Sequence, residues 1–156
     1  MDMTTGLSCP SAQADQIGSV VIGVVRGHNG GIRVSLLPDP ARLRAVAHLI
    51  PDTLPVAEVV RLAAPCAERR CAHFHDGCCS LASRIVAKLP AVIDHMSKCA
   101  IRPSCRWWYQ EGPVACFRCP AIVTEPFQAS DLMREVATPS SALTDQNRST
   151  GDSNHV

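Results

Sequence analysis

Apolar and polar positions alternate most clearly near the start of the chain. "IGSVVIGVVRGHNGGIRVSLLP" sets two apolar runs on either side of "GHNGG". Asparagine and glycine tolerate positive φ, so this pattern predicts a hairpin with strands Ser19 to Arg26 and Ile32 to Leu37. In "PDPARLRAVAHLI", Asp39 suits an N-cap and Pro40 a first helical residue. Leu43, Val46, Ala47 and Ile50 fall on one helical face, and Pro51 stops the helix. "PVAEVVRLAAPC" carries two signals. The spacing of Val56, Val59, Val60 and Ala63 suits a helix, while its valine content suits a strand beside the hairpin, which is our reading.

Further on, the period changes from two to about 3.6. "CSLASRIVAKL" predicts a helix with Leu81, Ile85 and Leu89 on one side, ended by Pro90. "AVIDHM" extends this as a short helix. "RPSCRWWYQEGP" opens with Pro103 at a helix start and closes on Gly112 as the residue after the cap. "SDLMREVA" is a last helix capped by Ser130. Residues 1–16 are polar, small and without period, and residues 138–156 are rich in Ser, Thr, Asn and Asp; both are expected to be disordered. The fold class is therefore α+β. A small α+β region over 17–65 is joined to a mostly helical, cysteine-rich module over 66–137.

Composition sharpens the picture of the second part. Hydrophobic residues make up 46% of the chain but aromatics only 4%, so alanine and valine supply much of the core. Burial at roughly 25 cal/mol per Å² gives such a core less than an aromatic-rich one would have. The chain also holds nine cysteines. Met1 to Gln16 has neither the basic residues nor the apolar run of a secretory signal, and Ile17 to Val25 falls short of the roughly 20 residues that span a bilayer. These features point to the cytoplasm, with no membrane association. In a reducing compartment, clustered cysteines serve as metal ligands or redox thiols rather than structural disulfides. Net charge is +1, yet Arg61 to Arg118 holds nine Lys or Arg against four Asp or Glu. A solvated surface accounts for such an excess, as does an anionic neighbour such as nucleic acid or a thiolate-ligated metal centre.

Eight cysteines lie at 66, 71, 78, 79, 99, 105, 116 and 119. Cys116-Phe117-Arg118-Cys119 has the C-x-x-C spacing that lets two thiolates turn toward one centre, and Pro120 follows directly. Cys78 and Cys79 are neighbours whose side chains point apart; Cys79, at the helix start, is the better ligand. Cys99 and Cys105 flank the short loop "AIRPS". The expected centre draws on Cys71, Cys79, Cys105, Cys116 and Cys119, with Cys66 and Cys99 as further metal ligands. His73 and His75 read as polar turn residues, His95 as a surface residue and Cys9 as a bystander. Cysteine used merely as a small apolar residue would stand inside apolar runs. Most of these stand beside Arg, His, Pro or Gly.

Zinc favours two close pairs, and this chain has a single C-x-x-C. Irregular gaps of five, seven or eight, six and eleven residues suit an iron–sulfur cluster reached from several loops, a four-iron, four-sulfur centre among the candidates. Trp107, Trp108 and Tyr109 would exclude water from it; a core anchor or a partner-binding patch explains them equally. "GCC", followed by "CAIRPSCR", resembles the bacterial cysteine-cluster proteins described as zinc- or iron-chelating domains. That resemblance covers about a quarter of the chain, lacks the leading cysteine pair, and implies metal binding. No phosphate-binding loop, dinucleotide fingerprint, deaminase zinc pattern or thioredoxin-type turn is present. The expected function is a cytoplasmic iron–sulfur protein that transfers electrons, or serves as accessory or sensor to a redox or biosynthetic partner protein. The alternative is a zinc-stapled interaction module that binds protein or nucleic acid.

Overall fold

The computed structural model describes residues 6–139. The fold is α+β. Its sheet is antiparallel with strand order β1-β4-β2-β3, from β1 (Ser8–Cys9), β2 (Val20–His28), β3 (Gly31–Arg42) and β4 (Val60–Pro65). β2 and β3 form the expected hairpin, and they run longer than the sequence pattern suggested. Its two-residue turn is Asn29-Gly30, with φ of 46° and 77°, closed by the pair His28 and Gly31. Both positive φ angles match the right-handed twist of the strands.

β3 continues through Arg42, so Asp39 and Pro40 do not start a helix. Val21 pairs with Ala41 and Gly23 with Leu36, which leaves Leu37 to Pro40 bulging out of register. Two prolines in that bulge cannot donate to a ladder, and β3 is an edge strand, where that is tolerated. The helix shrinks to α1 (Leu43–Val46) and a 3₁₀ turn at Ala47–Leu49. The ambiguous segment takes both conformations in turn: α2 (Val56–Val59), then β4.

β4 carries apolar residues on both faces because both are covered. Val60, Leu62 and Ala64 pack with Ala12 and Val21 against side chains from the α1–α2 region. Ala63, with Ile22 of β2, packs on the other side against the cysteine-rich helices. These are α3 (Ser80–Lys88), α4 (Arg106–Glu111), α5 (Pro113–Cys116) and α6 (Asp131–Ala137). The sheet region and the cysteine-rich module thus share one core, with Ile85, Trp107, Ala115 and Val136 at its centre. "AVIDHM" is irregular rather than helical. Ser130 caps α6 as expected, its Oγ accepting from the Met133 N–H at 3.2 Å.

The start of the chain departs from expectation. Residues 6–16 are ordered: Ser8 and Cys9 pair with Pro65 and Ala64, the Ala12 N–H donates to the Leu62 carbonyl, and Ala12 is fully buried. Weak local periodicity concealed a segment held by long-range contacts. The tail from residue 140 onward lies outside the described residues.

Candidate metal centre

Eight of the nine cysteines line two cavities, four to each. Trp107, only 2% exposed, borders both. The inner set is Cys99, Cys105, Cys116 and Cys119, around a small volume of about 20 Å³. The outer set is Cys9, Cys66, Cys71 and Cys79, on a larger cavity of about 620 Å³.

Local structure explains the inner set. Cys105 ends a 3₁₀ turn (Arg102–Ser104) and is the N-cap of α4. Gly112, at φ 73°, ends α4 and lets α5 turn back so that Cys116 faces the same volume. The two residues inside the C-x-x-C step anchor its loop. Arg118 Nε donates to the Leu89 carbonyl at 2.7 Å, and the Phe117 carbonyl accepts from the Val92 N–H at 2.8 Å. Cys119 then opens a 3₁₀ turn with Pro120 behind it. Burial pushes the Cys105 thiol up to about 12, against N–H groups of α4 that favour its thiolate, and neighbouring Cys119 and Cys99 raise it further. Burial also raises Cys116, while a hydrogen bond from Arg102 opposes the shift.

The outer set is assembled from distant segments. Cys9 lies on β1, Cys66 follows β4, and Cys71 ends the 3₁₀ turn Glu68–Arg70. Cys79 ends a small hairpin of β5 (Phe74–His75) and β6 (Cys78–Cys79), whose turn is Asp76-Gly77. Strand pleating sends neighbouring side chains to opposite faces, so Cys78 is exposed while Cys79 lines the cavity as the N-cap of α3. Burial pushes the Cys9 thiol up to about 11, and Cys66 and Cys79 add to it. Burial raises Cys79 as well; the N–H groups of Ala82 and Leu81 favour its thiolate, while Cys71 and Cys66 oppose it.

Three arginines serve these sets. Arg61 is fully buried, and its ring neighbour is Trp107 at 5.2 Å. It donates to the carbonyls of Pro10, Cys119 (2.9 Å) and Ile122 (2.8 Å), and to Cys119 Sγ at 3.3 Å. It makes no ion pair with a carboxylate among the described residues. Arg102 lines the inner cavity and lies 5.9 Å from the Trp108 ring. Arg106 lines the outer cavity, 5.3 Å from the Phe74 ring and 3.3 Å from Glu68. The Nε atoms of Arg102 and Arg106 are buried with no hydrogen-bond partner among the described residues. Such orphaned donors are costly, and an anionic centre beside each would satisfy them. His73 also lines the outer cavity; its Nδ1 accepts from Arg84 Nη2 at 2.7 Å, and burial followed by the Arg84 charge lowers its pKa.

The structure therefore divides the residues expected to share one centre. Cys71, Cys79 and Cys66 stand on the outer cavity, whereas Cys99, Cys105, Cys116 and Cys119 stand on the inner one. Cys9, read as a bystander, joins the outer group. His75 and His95 are exposed. Among the described residues, no group of three or more His, Cys, Asp or Glu side chains is placed to hold a metal ion. Ligation by either set has to draw the sulfurs inward. Two signals were present in the sequence and passed over: the Asp-Gly turn before Cys78, and the lone arginine within the apolar run "VVRLAAP".

Comparison with known proteins finds no family model, no curated protein and no solved structure that matches this chain. The likeness to cysteine-cluster domains rests on the quoted sequence steps alone. No helix among the described residues is long and apolar enough to cross a membrane.

Proposed function

We propose that the chain is a cytoplasmic iron–sulfur protein that works in electron transfer, or as accessory or sensor to a partner enzyme, with the inner set as its ligands. The carrying observation is that four thiols line one small volume whose neighbours suit an anionic thiolate centre. Arg61 donates to Cys119 Sγ, Arg102 offers an orphaned Nε, and Trp107 and Trp108 give the volume apolar walls. When bound, the cluster supplies one-electron chemistry. Hydrogen bonds to sulfur, positive charge and dryness are the protein's means of setting its potential.

The small inner volume favours a second reading, a single zinc ion that staples an interaction module. Anaerobic purification separates the two. The iron–sulfur reading expects a brown protein with iron and acid-labile sulfide, whose visible absorbance bleaches with dithionite and returns on mild oxidation. A colourless protein that holds zinc ends the electron-transfer reading. Less than about half an equivalent of any transition metal ends both, because thiolate sites that couple to folding fill tightly.

A further inference from the structure

The outer cavity has the makings of a site in its own right. Its four cysteines come from β1, the end of β4, a 3₁₀ turn and the start of α3, yet they line one volume. Nothing in local chain geometry requires that convergence. Cysteines used as small apolar residues fill space, whereas these surround about 620 Å³ of it. None of the nine cysteines is joined in a disulfide. Among the described residues no Asp or Glu lines the cavity, but Arg106 does, and its buried Nε has no acceptor there. The pattern repeats that of the inner set: an N-cap cysteine, an arginine with an orphaned donor, and Trp107 as a wall.

We propose that Cys9, Cys66, Cys71 and Cys79 hold a second iron–sulfur centre, distinct from that of the inner set and bordering the same Trp107. A single ion requires its thiolates within about 2.3 Å of one point. A polynuclear cluster spreads its ligands further and suits the cavity's volume. Arg106 Nε would donate to a thiolate or a sulfide. Cys78, turned to solvent on β6, takes no part. The proposal extends the iron–sulfur reading of the inner set, but the two stand or fall on different cysteines.

The test is anaerobic reconstitution of the full chain with ferrous iron, sulfide and a thiol reductant, followed by iron and sulfide counts per chain. The variants are C66A/C71A, at half-buried loop positions, and C116A/C119A. Loss of one of two similar centres should lower iron and sulfide by about half in C66A/C71A, with the inner set's absorbance retained. Iron equal to that of the wild type in C66A/C71A overturns the second centre and leaves the first untouched. Full loss in C66A/C71A with none in C116A/C119A keeps the outer centre and removes the inner one. Alkylation of the loaded wild-type protein reads the same question without relying on a variant that folds. Cys66 and Cys71 should be protected while Cys78 is modified. Labelling of Cys66 and Cys71 as fast as Cys78, or disulfide-linked peptides joining the outer four, overturns the proposal.

Discussion

In the inner set Cys105 caps α4, Arg102 brings an unpartnered Nε, and Trp107 closes one side; in the outer set Cys79, Arg106 and Trp107 take the same places. What separates them is how the chain reaches them. The inner cysteines all lie between Cys99 and Cys119, so short helices and tight turns bring them together. The outer ones run from Cys9 to Cys79 and depend on the sheet to bring Cys9 beside Cys66. Closing the longer loop costs only modestly more chain entropy, since that cost grows with the logarithm of length. The consequence lies in size. Local turns wrap the inner set until about 20 Å³ remains, while the dispersed segments leave the outer set around about 620 Å³. The larger space has room for a bulkier occupant than the smaller one.

Removal of the shared wall should have the largest effect. Trp107→Ala is expected to cost about 3–5 kcal/mol, as large-to-small changes at buried tryptophans do. It should speed the decay of visible absorbance in air, and thermal unfolding measured alongside reports the stability loss. If decay is unchanged, Trp107 shields neither set and is only a core anchor.

Arg61→Met tests whether the two sets share a pillar. It keeps much of the side-chain bulk but strips hydrogen bonds from the carbonyls of Pro10, Cys119 and Ile122. Those carbonyls belong to the β1 segment and to the inner loop, so metal content of both sets should fall. Buried acceptors left unpaired cost about 1–3 kcal/mol each, which puts the expected loss at several kcal/mol. Denaturant unfolding checks it; a loss confined to the inner set would show that Arg61 does not couple the two.

Gly23→Ala should act more mildly and through the backbone. A Cβ there would meet Val34 Cγ1 at 2.6 Å and the Ser35 carbonyl at 3.1 Å, with Arg61 Cβ at 3.3 Å. Overpacking of that kind costs about 1–3 kcal/mol. A shift of β2 against β4 would carry Arg61 with it, so metal retention should fall in proportion to stability, as a parallel titration would show. Lys88→Ala is expected to change least. Its 2.6 Å pair with Glu135 is exposed and neither residue lines a cavity, and exposed pairs contribute about 1 kcal/mol or less. Unfolding midpoints should barely move, and the absorbance of both sets should stay as it was.

The elements with strong local signals were legible in the sequence. The "GHNGG" hairpin, the helix after Cys79, the Gly112 stop and the Ser130 cap each follow from a few adjacent residues. The C-x-x-C step and its Trp cover were visible for the same reason. The division of the cysteines was not, because it depends on which strand lies beside which. Cys9 offered no local clue: only its pairing with Ala64 on β4 makes it a neighbour of Cys66. "PVAEVVRLAAPC" misled by carrying two periods, since it is one turn of helix and then a strand covered on both faces. The prolines near Asp39 suited a helix start, and the edge position of β3 offered them another place.

The Ser8–Cys105 bridge and the Ser11–Thr124 hydroxyl contact at 2.8 Å tie the first described residues to some of the last. A ribosome releases the chain in the opposite sense, one end well before the other. β1 must therefore wait for β4, about fifty-five residues on, and the contacts of this segment to Cys105 and Thr124 form later still, because contacts so distant in sequence form late. Arg61 waits too, for carbonyls at Cys119 and Ile122 that emerge long after its own strand. During that interval the thiols of Cys9, Cys66, Cys71 and Cys79 are already outside the tunnel and not yet enclosed. If the outer cysteines take metal as proposed, its delivery has its widest opening during translation, before the last helix closes over the core.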